Sequence, residues 1–248
     1  MAWIGALSIG LSLGLLGSGG SILTVPVLIF LVGEGEKVAI AESLAIVGAI
    51  ALAGSVPYAW RRRVDWRSVV LFGVPGMIGS YLGAAVSGYI SGTTQLVLFG
   101  FIMLAAAGLM VRPPRADDAP AEVRPAWKIA VDGLIVGVVT GLVGVGGGFL
   151  IVPALVLLGG LKMHRAVGTS LTIIALKSFT GFVKYIDVLA DLELAVDWVL
   201  IGVFALLVTV GTIVGNRLAS RIPQMRLRQV FAVFLVTMGL FVLYTNLG

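Results

Sequence analysis

The sequence contains no cysteine and only one histidine, His164, among its 248 residues. Without cysteine the chain has no disulfides, no thiolate metal sites and no cysteine nucleophile. A single histidine leaves little material for a metal cluster, and we expect neither a metal nor another cofactor. Charged residues are also scarce, at 12% of the chain, whereas hydrophobic residues account for 59%. The chain therefore has more apolar surface than a soluble core of this size could bury.

The apolar residues form eight long blocks, and the mean hydropathy is +1.10. About 20 apolar residues are enough for a helix to cross a ~30 Å hydrocarbon layer, and the sequence does not alternate in the ten-residue pattern of an outer-membrane barrel. We therefore predict an all-α polytopic membrane protein surrounded by a lipid bilayer. The blocks span residues 2–33, 38–60, 67–90, 94–111, 127–160, 164–186, 195–216 and 227–247.

The first block does not have the usual form of a cleaved signal peptide, because it lacks a basic start and stays hydrophobic past Phe30. We expect it to remain in the mature chain. The net charge of +5 reflects basic residues that lie mostly in short loops, where they orient helices in the bilayer. We expect no nucleic-acid partner, and the sequence leaves open whether the chain forms a homodimer.

A proline-rich, charged segment divides the chain into two halves that repeat each other. Adding 127 to the residue numbers within 14–28 gives an identical residue at nine positions, and after a five-residue insertion the motif VDW at 64–66 recurs at 196–198. Chance similarity of apolar runs would not preserve proline and glycine positions. We predict three regions: a first membrane repeat at 1–111, a cytoplasmic linker at 112–126 and a second membrane repeat at 127–248.

Equivalent loops of the two halves carry opposite charge. The loop RRRVDWR at 61–67 is basic, whereas its counterpart after Tyr185 is acidic; GEGEK at 33–37 is acidic, whereas GLKMHR at 160–165 is basic. Because basic loops stay in the cytoplasm, we predict that the halves are inserted upside down relative to each other, as in many secondary transporters. Both termini would then face outward.

Inversion requires an odd number of elements in each half, yet each half has four blocks. The count becomes consistent if block 2–33 is broken at GSGGS and block 127–160 at GVGGG. Pieces of about 14 and 11 residues are too short to span, so we expect broken or re-entrant helices that reach about the midplane. A new helix should start near residues 24–26 and near residues 151–153, where a proline suits the first turn.

The two glycine hinges are predicted to bind an anion. Non-helical backbone at membrane depth must line a cavity or be packed in protein, and free N–H groups at a helix start attract anions. The alternative is close helix packing, which we favour for GSYLG (79–83), GVVTG (137–141) and GTIVG (211–215). Neither hinge matches a nucleotide-binding loop. The predicted binding residues are Gly17, Ser18, Gly19, Gly20, Ser21, Gly144, Gly146, Gly147 and Gly148.

Several polar residues lie inside the apolar blocks. Glu42 and Lys177 are ionisable, and charge inside a membrane is costly enough to suggest a function. Either they are structural, as an ion pair at comparable depth or with Lys177 snorkelling to the membrane surface, or they attract the anion or couple transport to protons. Ser43 and Thr169–Ser170 lie at equivalent positions and either cap helices or contact substrate. Two residues nearer the membrane surfaces are interpreted as structural: Lys184 and His164.

The segment GLVGVGGGFLIVPALVLLGGLKMHRAVGTSLTIIAL, at 141–176, resembles the signature of the sulfite exporter family of the TauE/SafE type. GLLGSGGSILTVPVLIF, at 14–30, resembles its first-half copy, and the resemblance covers essentially the whole chain. It implies a permease of a bacterial or archaeal inner membrane for small sulfur-containing anions or organic acids, such as sulfite or sulfonates. The first half departs from the family pattern at AESLA, where Glu42 replaces a small polar residue.

We therefore predict an anion transporter that works by alternating access, with the substrate held between the two hinges. The driving force would be the substrate gradient or the proton-motive force, since the sequence has no ATPase motif. One alternative is a structural or sensory membrane protein without flux. Another is an intramembrane serine protease that uses Ser18 or Ser21, but the single histidine offers no base at matching depth.

Overall fold

The computed structural model is helical throughout its regular elements, and no described residue lies in a strand. The predicted all-α class is therefore confirmed for the part of the chain that the structure describes. That part comprises residues 6–7, 9–11, 21–111, 125–153, 155, 161, 163–219 and 224–247.

The helices after residue 20 are labelled α1 to α9 in chain order. The first opens with a 3-10 turn and ends as a π-helix, Leu28–Val32, which stops at Gly33 in the left-handed conformation, with φ 91°. Residues 6–7 and 9–11 are also helical. The bounds are α1 Ser21–Val32, α2 Glu36–Trp60, α3 Trp66–Ser87, α4 Gly92–Val111, α5 Ala126–Val143, α6 Gly148–Pro153, α7 Met163–Asp191, α8 Trp198–Ala219 and α9 Gln224–Leu247.

Each of the eight predicted blocks contains an apolar helix among the described residues. Helices α2, α3, α5 and α7 are long and apolar enough to cross a membrane. Helices α1, α4, α8 and α9 carry shorter apolar stretches of 10–17 residues. Lengths and composition of this kind identify a multi-pass helical membrane protein.

Helices α2 and α7 form the centre of the molecule. They pack against each other and are the most enclosed of the four long helices, with 78% and 61% of their apolar windows buried. Helix α3 packs against α5 and α7, α4 against α9, and α8 against α2. Helix α5 is only 28% buried and lies at the periphery. The two central helices are also the ones that carry Glu42 and Lys177.

Helices α3 and α5 approach closely through glycine. A Cβ on Gly79 would lie 2.3 Å from a carbonyl oxygen of α5, and one on Gly137 would lie 2.3 Å from the carbonyl oxygen of Gly76. Near the N-terminus, a Cβ on Gly10 would lie 2.4 Å from the carbonyl oxygen of Val208. The predicted packing role of the small-residue motifs is confirmed at the glycines that the structure describes: Gly79, Gly83, Gly137, Gly141 and Gly211.

These contacts between the halves occur in equivalent pairs. The repeat relates Gly10 and Val208 to Gly137 and Gly76, so the same contact is made twice with the halves exchanged. Equivalent helices also pack on each other, α2 on α7 and α4 on α9. The contacts are thus reciprocal between residues 1–111 and residues 127–248.

Two predicted boundaries need correction. Helix α5 has 18 residues, which corresponds to about 27 Å at ~1.5 Å per residue. The expectation that this piece is too short to span was wrong, because its length approaches the ~30 Å of the hydrocarbon layer. Helix α6 starts at Gly148, three residues before the predicted start, because the N–H of Ile151 already donates to the carbonyl oxygen of Gly147 at 3.0 Å.

Candidate functional site

The backbone leaves the helix after Val143, in the segment that we call the second hinge, residues 144–148. Gly144 ends α5 in the left-handed conformation, with φ 73°, and its N–H donates to the carbonyl oxygen of Thr140 at 3.0 Å. Gly147 also has a positive φ, 69°, and the helix resumes at Gly148. Glycine adopts positive φ angles without strain, so the glycines at 144 and 147 permit the helix to break here. The predicted interruption is confirmed at the second hinge.

The second hinge is enclosed by the two central helices. Cβ atoms on Gly144 and Gly146 would lie 2.4 and 2.2 Å from side chains of α2. On the other side, a Cβ on Gly147 would lie 2.5 Å from Nζ of Lys177, on α7. Non-helical backbone is therefore packed between α2 and α7, as backbone within a membrane must be when it does not line water.

Lys177 brings its ammonium group to the second hinge. The residue is 1% exposed, and Nζ donates to Oγ1 of Thr140 at 2.6 Å. The Thr140 hydroxyl in turn donates to the carbonyl oxygen of Val136 at 2.7 Å. No carboxylate oxygen of the described residues lies within 4.0 Å of the ammonium. Lys177 thus has a buried amino group with a hydroxyl partner and no described counter-ion.

The predicted alternative of an ion pair between Glu42 and Lys177 is wrong. Oε1 of Glu42 accepts a hydrogen bond from the N–H of Asp197 at 2.8 Å, and Oε2 is buried without a partner. The two charged groups point to different neighbours, because Lys177 extends toward the hinge after α5 whereas Glu42 extends toward the start of α8.

Ser43 connects α2 to the second hinge. Its hydroxyl lies in donating geometry to the carbonyl oxygen of Gly144 and, at 2.9 Å, to that of Ile40 in its own helix. The equivalent Ser170 donates to the carbonyl oxygen of Val167 at 2.8 Å. Both serines lie in the third turn of their helices, so the helix-capping alternative does not hold for either.

Glu42 and Thr169 occupy equivalent positions and make equivalent bonds to the opposite half. Oε1 of Glu42 accepts from the N–H of Asp197 at 2.8 Å, and Oγ1 of Thr169 accepts from the N–H of Asp65 at 2.9 Å. Both aspartates belong to the repeated VDW motif, and the carboxylate of each accepts from an N–H in the first turn of the following helix. The motif therefore starts a helix and joins the halves.

Sequence reasoning missed Thr140 and Thr24. The Oγ1 atom of Thr24, in the first α-helical turn of α1, is buried without a hydrogen-bond partner. A signal for both was present, because the repeat places an apolar residue opposite each of them, as it does for Lys177. When a polar residue in one half has an apolar counterpart in the other, the fold that the halves have in common does not require that polar side chain. The pairs are Thr140 and Leu13, Thr24 and Ile151, and Lys177 and Ile50.

The other predicted positions are placed as follows. Gly17, Ser18, Gly19 and Gly20 lie outside the described residues, while Ser21 is buried in the 3-10 turn of α1. Lys184 pairs with Asp187 at 3.2 Å, in agreement with a structural role. The side chain of His164 is outside the described part. Among the residues described, no three His, Asp or Glu side chains cluster as metal ligands.

Comparisons with known proteins cover nearly the whole chain. Residues 2–242 match the family model "Sulfite exporter TauE/SafE". A "Probable membrane transporter protein" of Xylella fastidiosa strain Temecula1 is 34% identical over 249 residues, covering 96% of this chain and 92% of the relative. A protein of the same description from Methanocaldococcus jannaschii is 28% identical, over 95% of this chain and 93% of its own length. No solved structure matches the chain.

These matches agree with the apolar helices and with the repeated hinge motif. The family and its bacterial and archaeal relatives are transporters by description, and the match leaves only the first residue and the last six outside it. The chain is therefore a multi-pass membrane protein that belongs to the sulfite exporter TauE/SafE family.

Proposed function

We propose that this protein is a secondary transporter that moves a small anion across the membrane and binds it at the second hinge. The observation that carries the proposal is the buried ammonium group of Lys177, which has no described carboxylate partner. An unpaired charge in a membrane interior is strongly destabilising, so a protein that keeps one uses it. An anion arriving beside Nζ would supply the missing counter-charge.

The groups around Lys177 suit an anion. Thr140 takes one of the three N–H donors of the ammonium, which leaves two for a ligand. In this proposal Gly146, Gly147 and Gly148, at the adjacent helix break, line the site. In this proposal the first-hinge residues 17–21 and Ser43 complete the site from the opposite half, and Thr169 and Ser170 complete it from the same half as the second hinge.

We further propose that the two halves have inverted topology and that one rocks against the other to give alternating access. The reciprocal contacts between equivalent residues support a two-fold relation, and the reversed loop charges support opposite insertion. Both termini would lie outside an inner membrane, with the linker 112–126 in the cytoplasm.

The inversion has a direct test in this cysteine-free chain. Single cysteines at Glu34 and at Lys162, which lie in equivalent segments of the sequence, should react with a membrane-impermeant maleimide from opposite sides of the membrane. A cysteine at Glu193, beside the acidic loop before α8, serves as a second outward reference. Reaction of the Glu34 and Lys162 positions from the same side would refute the inversion.

The family description points to sulfite as the first substrate to test, with sulfonates and small carboxylates next. The driving force in this proposal is the substrate gradient or the proton gradient. Glu42 is the candidate coupling residue because it is the buried carboxyl of a central helix. If it couples, Glu42→Gln retains flux down a sulfite gradient but no longer responds to an imposed proton gradient.

The decisive experiment is sulfite flux in proteoliposomes. We expect flux with the natural protein, loss of at least about tenfold in Lys177→Met, and near-natural flux in Lys184→Met. Lys184 is the matched control, since it lies two turns further along α7 and pairs with Asp187 at 3.2 Å. Equal flux in the two variants would refute the role of Lys177. Binding of sulfite without any flux would favour a sensory membrane protein instead.

A further inference from the structure

When Lys177 is protonated, one positive charge and no described negative charge lie beside the second hinge. Nζ of Lys177 donates a hydrogen bond to the Thr140 hydroxyl, and that hydroxyl donates to the backbone carbonyl of Val136. Gly147, against which the ammonium packs, adds no charge. The local sum of formal charges from the described side chains, with Lys177 protonated, is therefore plus one.

Other ionisable residues of the central region are engaged elsewhere. Glu42 accepts from the N–H of Asp197 at 2.8 Å. Asp132 lies eight residues before Thr140 on α5, a separation of about 12 Å along the helix. Lys37, a candidate second cation, donates to the carbonyl oxygens at the end of α3, Ser87 and Ile90. The first-hinge sequence, 17–21, contains no ionisable side chain.

We infer that the second hinge is built for a singly charged anion and discriminates against a doubly charged one. This inference rests on the proposed function and specifies its substrate class. A monoanion beside Lys177 makes the occupied site neutral, whereas a dianion leaves one uncompensated negative charge in a site enclosed by apolar helices. Net charge in such surroundings is penalised strongly, so the second charge weakens binding rather than strengthening it.

Methanesulfonate and sulfate are suitable probes. Both present a tetrahedral sulfur with oxygen atoms of similar size, they carry one and two negative charges, and neither changes its charge near neutral pH. Binding is measured as the anion-dependent rise in the melting temperature of the purified protein, with sodium chloride balancing the ionic strength. We expect an apparent Kd for methanesulfonate at least about tenfold lower than for sulfate, which corresponds to about 1.4 kcal/mol.

Variants of the two lysines on α7 assign the discrimination to the second hinge. Lys177→Met should abolish the preference and most of the methanesulfonate binding, while Lys184→Met should retain both. Lys177→Met is expected to fold, since it replaces an unpaired buried charge by an apolar side chain of similar length. The comparison of the two salts with the natural protein does not depend on any variant.

The outcomes separate this inference from the proposed function. Stabilisation by sulfate equal to or greater than that by methanesulfonate, with binding still dependent on Lys177, overturns the monoanion inference and leaves anion transport intact. Stabilisation by neither salt, nor by sulfite, overturns the proposed function and this inference together. A preference for methanesulfonate that persists in Lys177→Met also overturns the inference, because another group would then set the charge selectivity.

Discussion

The two halves of the molecule share their backbone plan but differ in where they place polar side chains. Ser43 and Ser170 make the same bond to the carbonyl oxygen three residues earlier, at 2.9 and 2.8 Å. Lys177, by contrast, has Ile50 as its counterpart in the first half. Three buried polar side chains, Thr24, Thr140 and Lys177, have apolar counterparts in the other half, and the last two lie at the second hinge. The proposed function rests on such a polar residue, Lys177, whose counterpart in the other half is apolar.

The largest effect is expected from a side chain added at the second hinge. Gly147→Ala forces alanine into a positive φ and places its Cβ 2.5 Å from both Lys177 Nζ and Thr140 Cγ2. We expect a loss of about 3 kcal/mol or more in the free energy of unfolding, together with loss of flux. Thermal unfolding in detergent measures the first and proteoliposome flux the second.

Gly202→Ala is the control for this substitution, because a Cβ there meets nothing within 4 Å. It should leave flux unchanged and raise stability slightly, since alanine favours a helix over glycine. Equal losses in the two variants would show that crowding at Gly147 is not the cause.

The next effect tests the partner of the buried ammonium. Thr140→Val keeps the shape of the side chain but removes the hydroxyl that accepts from Lys177 at 2.6 Å. We expect a loss of about 2 kcal/mol, because a charged donor loses its partner, and recovery of most of it in Thr140→Ser. Urea or thermal unfolding would measure the difference.

Thr209 on α8 provides a matched threonine whose hydroxyl bonds only to its own helix, at 2.7 Å to the carbonyl oxygen of Ala205. Thr209→Val should cost no more than about 0.5 kcal/mol. If Thr140→Ser were as unstable as Thr140→Val, the hydroxyl would not be the stabilising group.

A smaller effect distinguishes the two hydrogen bonds that connect the halves, from Asp197 to Glu42 and from Asp65 to Thr169. Thr169→Val leaves the N–H of Asp65 without its acceptor, and we expect a loss of about 1 to 2 kcal/mol. Glu42→Gln retains an oxygen for the N–H of Asp197 and removes a buried charge, so its stability should stay within about 0.5 kcal/mol of the natural protein or exceed it. A larger loss in Glu42→Gln than in Thr169→Val would contradict this order, as judged by melting temperature.

The smallest effect is expected at the first turn of α1. Thr24→Val removes a buried hydroxyl that has no partner, so we expect a gain of roughly 0.5 kcal/mol in the absence of substrate. Thr212→Val, whose hydroxyl donates to the carbonyl oxygen of Val208 at 2.7 Å, should instead give a small loss. Destabilisation by Thr24→Val would show that the hydroxyl is bonded in the protein in solution.

Much of the fold could be predicted because it depends on local properties of the chain. Apolar blocks of helical length identify membrane helices wherever they occur. The break at Gly144 and Gly147 follows from the positive φ that glycine permits, and the repeated proline and glycine positions revealed the duplication. The length of α5 was underestimated because hydropathy alone does not indicate where a helix ends.

The candidate site was less predictable because it combines residues that are distant in sequence. The pairing of Lys177 with Thr140 joins α7 to the end of α5, and the bond from Asp197 to Glu42 spans 155 residues. The sequence shows that burying Lys177 and Glu42 in a membrane costs free energy. It does not show their hydrogen-bond partners, because both side chains have several rotatable bonds and can reach different neighbours. A comparison of the halves for polar residues with apolar counterparts would have identified Thr140 and Thr24.

The sequence by itself determined that this chain is a helical membrane protein, that nine residues of 14–28 recur at 141–155, and that the backbone is interrupted at the glycines of 144–148. These features follow from apolar length, residue periodicity and backbone freedom, which act within a few turns of helix. Only the tertiary structure decided that the side-chain nitrogen of Lys177 lies against Gly147 and that Glu42 accepts a hydrogen bond from the N–H of Asp197. Packing of α2 against α7 fixes both, because it sets which buried polar groups come within hydrogen-bond distance.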